Sequence, residues 1–87
     1  MPTKPKYRAA IGLAYDEQGA RAPSVSAKGE FLSADEVVKI AERYAVPVVE
    51  RPELAKALLA VELEEQIPEE LFEAVAVVLH EVEKVSK

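Results

Sequence analysis

Cysteine is absent from the 87 residues, and disulfides, thiolate-bound zinc and thiol nucleophiles are excluded with it. Asparagine is absent too, methionine stands only at position 1, and glutamine occurs only at Gln18 and Gln66, a shortage of thermolabile side chains that fits a thermophilic source. No apolar run has the length of a signal-peptide core or a membrane span, so nothing visible exports or anchors the chain, and a reducing cytoplasm is the expected compartment. Clustered Lys and Arg are also missing. With a net charge of −5, this argues against nucleic acid as a partner, because binding to phosphate backbones depends on such clusters. The three glycines, Gly12, Gly19 and Gly29, have neither dinucleotide-binding nor P-loop spacing.

Apolar residues make up 49% and charged residues 31%, a globular composition, and the length allows one domain with one core. Residues 1–7 carry two prolines and no apolar pattern and read as a flexible lead-in to a domain over 8–87. Ala9 to Tyr15 is a short apolar run followed by turn chemistry at Asp16-Glu17-Gln18-Gly19. Ser24 to Lys28 is a second extended stretch, so the two are expected to pair as an antiparallel hairpin. Ser33 and Glu36 have capping-box spacing and predict a helix start, with Val37, Ile40, Ala41 and Tyr44 as the buried face. Pro47 ends that helix, and Val48-Val49 reads as a third strand reached by a right-handed crossover. Pro52 opens a short helix bearing Leu54, Ala55 and Leu58, and Val61-Glu62-Leu63 fits a small edge strand. Pro68 opens the last helix, where Leu71, Val75, Val78, Val82 and Val85 recur at helical spacing and Phe72 and Leu79 widen the stripe. The expected architecture is α/β: a small mixed sheet of three to four strands flanked by three helices.

Candidate chemistry is sparse. His80 is the single histidine and lacks companions for a zinc set, so it reads as a surface residue, and no metal or cofactor is expected. The densest charge run, Glu62, Glu64, Glu65, Glu69, Glu70 and Glu73, contains paired carboxylates of the kind used in acid–base catalysis. It borders a helix start without an apolar pocket to raise a pKa, and a solvated face explains it better. Ser24, Ser26, Ser33 and Ser86 lack the context of a nucleophile. No catalytic residue is assigned, and the chain reads as a binding module.

Four segments in order carry a resemblance. They are Ala22-Pro23 with Val25 and Ala27-Lys28-Gly29; Val46-Pro47-Val48-Val49-Glu50; Pro52 with Leu54-Ala55-Lys56-Ala57-Leu58; and Ile67-Pro68-Glu69-Glu70-Leu71-Phe72-Glu73-Ala74-Val75-Ala76. Together they resemble the C-terminal cytoplasmic domain of FlhB, the flagellar export switch protein, and its counterparts in virulence type III secretion. That family has a membrane-embedded N-terminal half and a self-cleaving Asn-Pro-Thr-His motif before the first strand. Here the motif positions fall on Pro5, Lys6, Tyr7 and Arg8, and no asparagine exists to cyclise. The expectation is a free-standing, non-cleaving paralogue.

The resemblance implies a soluble, monomeric part of the export apparatus that meets the membrane only indirectly. Its implied partners are an FlhA-type gate component and export substrates, and its implied binding surface is Ala22, Pro23, Ala76 and Leu79. Ala76 and Leu79 share a helix face by spacing, although Leu79 fits equally well as core. A cytosolic regulatory protein that kept the fold for an unrelated partner is the rival expectation. An acid–base enzyme using Glu65, Glu69 or Glu73 is a third.

Overall fold

The computed structural model describes residues 4–16 and 21–85. Two strands, β1 (Ala9–Ala14) and β2 (Ser24–Glu30), pair antiparallel, with Ala9 opposite Glu30 and Ala14 opposite Ser24. The expected hairpin is therefore present, although most of its turn, 17–20, lies outside the described residues. Gly12 faces Ala27 but Leu13 faces Val25, so Ser26 is left over as a bulge. The bulge leaves Ser26 exposed and Val25 fully buried.

Three α-helices follow: α1 (Leu32–Arg43), α2 (Pro52–Leu58) and α3 (Phe72–Val85), the last entered through one 3₁₀ turn at Glu69–Leu71. The mixed α/β architecture with three helices agrees with the sequence, but the strand count does not. Among the described residues the sheet has two strands, and neither Val48-Val49 nor Val61-Glu62-Leu63 forms one. Prolines at 47 and 52 remove backbone donors on both sides of the Val48-Val49 stretch, which forms no ladder. The edge contact comes later in the chain. Val25 N–H donates to the Glu65 carbonyl at 3.0 Å, Glu64 N–H to the Val25 carbonyl at 2.7 Å, and Ile67 N–H to the Pro23 carbonyl at 2.9 Å. The turn feeding this contact puts Glu64 at φ 70, a left-handed backbone that favours glycine.

Helix α1 corrects two expectations. Its first residue is Leu32, its N-cap position is Phe31 at φ 54, and no side chain caps it, so Ser33 lies within the first turn. The cause is the approach from β2: a Cβ on Gly29 would stand 2.8 Å from the Ser33 carbonyl oxygen, so the chain turns into the helix at once. The buried face is Ala34 and Val38, with Val37 and Ala41 half-buried, whereas Ile40 and Tyr44 are exposed. Ala34 and Ala10 share a small cluster with Val38, and their small side chains let helix and strand come close. The helix ends in a Schellman motif: Val46 N–H reaches the Ala41 carbonyl at 2.8 Å, Ala45 N–H reaches the Glu42 carbonyl at 3.2 Å, and Ala45 takes φ 59.

The main core joins Val25, Leu58, Ile67 and Val75, with Ile11, Leu13, Leu54, Val61, Leu71 and Leu79 packed around them. It draws on every strand and helix except α1. Lys28 ties α2 to the sheet by donating to the carbonyls of Leu59 at 3.1 Å and Val61 at 2.9 Å. Arg51, ahead of α2, hydrogen-bonds Glu81 on α3. Ahead of β1, Asp35 accepts the backbone N–H groups of Lys6 and Tyr7, which anchors two residues of the segment read as a flexible lead-in. Among the described residues no helix is long and apolar enough to cross a membrane.

Candidate apolar docking cleft

The hydrogen bond from Ile67 N–H to the Pro23 carbonyl brings the start of β2 against the residue that leads into α3. Pro68, at φ −71 and ψ 155, then redirects the chain into the 3₁₀ turn, so α3 runs past Ala22 and Pro23. Between these elements lies a cleft of about 140 Å³ lined by Ala22, Pro23, Ile67, Phe72, Val75, Ala76 and Leu79. Ile67 and Val75, 3% and 1% exposed, are at once cleft lining and main core. Ala22, Pro23 and Leu79 are half-buried, and Ala76 and Phe72 are exposed at the opening.

All four residues expected from the resemblance meet in this one cleft. Leu79 packs against the core and also lines the cleft. Sequence reading missed Ile67, Phe72 and Val75 as lining. A signal was present: Phe72 and Ala76, like Val75 and Leu79, are four apart on one helix. Every lining side chain is a hydrocarbon, so the cleft offers van der Waals contact and desolvation but no nucleophile, acid or base. His80, next to Leu79, is exposed and does not line it.

A family model described as the FlhB HrpN YscU SpaS Family matches residues 4–82. The chain belongs to this family. It is 45% identical to the flagellar biosynthetic protein FlhB of Aquifex aeolicus over 71 residues, 80% of this chain and 20% of that protein. Against the uncharacterized protein YlqH of Bacillus subtilis it is 38% identical over 76 residues, 87% of this chain and 82% of that one. The chain thus spans about a fifth of the FlhB it matches and most of YlqH. Among solved structures, the cytoplasmic domain of FlhB from Shewanella putrefaciens superposes with a TM-score of 0.79 at 40% identity, covering 85% of this chain and 60% of that one. The PscU C-terminal domain gives 0.78 at 36% identity, covering 87% and 96%. The fold of the FlhB family's C-terminal cytoplasmic domains is therefore the fold of this chain.

Proposed function

We propose that this chain is a cytoplasmic binding module, not an enzyme, of a flagellar or type III protein export apparatus, and that its cleft receives an apolar segment of an export substrate. The observation carrying this reading is the convergence of Ala22, Pro23, Ala76 and Leu79 on one hydrocarbon-lined cleft. Membership of the FlhB HrpN YscU SpaS family and similarity to the flagellar biosynthetic protein FlhB support it. An FlhA-type gate component is the proposed neighbour. Small residues at Ala22 and Ala76 keep the walls low, so a partner's backbone comes close to the surface. The module works without self-cleavage, since the sequence has no asparagine whose amide would attack its own carbonyl.

The test is Ala76→Asp, assayed for binding to a hook-class flagellar export substrate and for thermal melting on the same preparation. Ala76 is exposed, so the fold loses only a fraction of a kcal/mol of helix propensity. Docking would strip water from a carboxylate that gains no partner in a hydrocarbon cleft, so affinity falls by about tenfold or more. Unchanged affinity with a normal melt contradicts the reading.

A further inference from the structure

The cleft is lined by uncharged residues, but the 3₁₀ turn and the first turn of α3 beside it carry carboxylates. Glu73 is three residues ahead of Ala76, and Glu69 is three ahead of Phe72, so helical spacing sets both carboxylates beside cleft-lining residues. Glu69, Glu70 and Glu73 are exposed, and no ion pair or hydrogen bond engages their side chains among the described residues, whereas Glu62 and Glu81 each have a cation. The helix dipole favours acids in this turn without neutralising their outward charge. Glu73, Arg21 and His80 are the titratable residues directly adjacent in sequence to the lining, so Arg21, beside Ala22, is the one permanent cation set against the carboxylates of Glu69 and Glu73.

Size limits what enters. At about 140 Å³ the cleft is close to the roughly 150 Å³ apolar cavity that accommodates a benzene, so one aromatic or branched aliphatic side chain fills it. Resting on the docking reading above, we infer that the cleft selects a segment in which one such apolar side chain is flanked by lysine or arginine, the apolar group filling the cleft and the cation lying over Glu69 and Glu73. The hydrocarbon walls supply the affinity. The acidic lip discriminates between apolar segments that would otherwise bind alike, and it steers their approach.

Three short synthetic peptides test this by fluorescence anisotropy: one with a leucine flanked by lysines, one with the same leucine flanked by glutamates, and one with the lysines kept and the leucine replaced by serine. The lysine–leucine peptide binds roughly fivefold tighter than the glutamate–leucine peptide at low salt, as expected for two exposed ion pairs. In the Glu69→Gln/Glu73→Gln double variant, and in high salt, the two converge. Equal affinity of the two leucine peptides for the unmodified protein overturns the charge selection and leaves the docking reading standing. Failure of both leucine peptides to bind overturns both. Binding of the lysine–serine peptide as tight as that of lysine–leucine overturns the inference by removing the apolar anchor from recognition.

Discussion

The carboxylate of Asp35, in the first turn of α1, accepts the backbone N–H of Tyr7 at 3.0 Å and that of Lys6 at the same distance. One side chain thus fastens the segment ahead of β1 to a helix, while the Tyr7 side chain lies on the cluster of Ala10, Ala34 and Val38. Asp35→Ala should speed hydrogen exchange at the Lys6 and Tyr7 amides well above that of β1. Global stability should fall by only about 1 kcal/mol, because the Lys6 bonds are solvent-exposed. Unaltered exchange at both amides would show that the segment is held by something else.

Lys28 supplies the ammonium that closes the end of α2. Its side chain is 26% exposed, and it satisfies two carbonyls with Glu62 nearby at 3.8 Å. Lys28→Met keeps the aliphatic stem and removes the donors, so it isolates the hydrogen bonds. Urea denaturation should show a loss of roughly 1–2 kcal/mol. The Glu62 pair adds little, because Glu62 is 79% exposed, and Glu62→Gln should be nearly silent.

The two ends of α1 predict a silent and a stabilising outcome for two conservative changes. Ser33 caps nothing, so Ser33→Ala should change stability by less than about 0.5 kcal/mol. Ala45 sits at φ 59 in the Schellman motif, where glycine avoids the Cβ penalty, and Ala45→Gly should stabilise by up to about 1 kcal/mol. Thermal melts of both variants beside the unmodified protein check this.

These ends also mark where sequence reading succeeds and where it stops. The hairpin, the Pro52 helix and α3 were legible because each announces itself locally, by extended apolar runs, a proline at the first helical position, or a long apolar stripe. The face of α1 was not: periodicity weights large residues such as Ile40 and Tyr44, whereas packing chose Ala34 and Val38, which permit close approach to Ala10. Val48 and Val49 have strand propensity, but propensity does not supply a neighbour to pair with. The capping box failed because the required geometry depends on Gly29, four residues before Ser33. The cleft was legible only through resemblance. Ala22 and Ala76 are small, ordinary residues that meet through a hydrogen bond between Ile67 and Pro23, and no local pattern encodes that bond.

A further expectation concerns covalent integrity. The resemblance to the FlhB family sets its cleavage motif against Pro5, Lys6, Tyr7 and Arg8, and the sequence has no asparagine to supply a cyclising amide. Intact-mass measurement after prolonged incubation at neutral to mildly alkaline pH should return one species. A specific break between Pro5 and Lys6 would contradict it.

The central claim is that the cleft between Pro23 and α3 takes up a segment of an exported protein, and amide NMR shift mapping tests it most directly. The labelled protein is titrated with a hook-class flagellar export substrate, and the perturbed amides are placed on the fold. Shifts should concentrate at Ala22, Ile67, Phe72, Val75, Ala76 and Leu79, with the amides of Ile40 and Tyr44 on the outer side of α1 unmoved. Saturable binding whose shifts centre on α1 and leave Ala76 and Leu79 unchanged would contradict it.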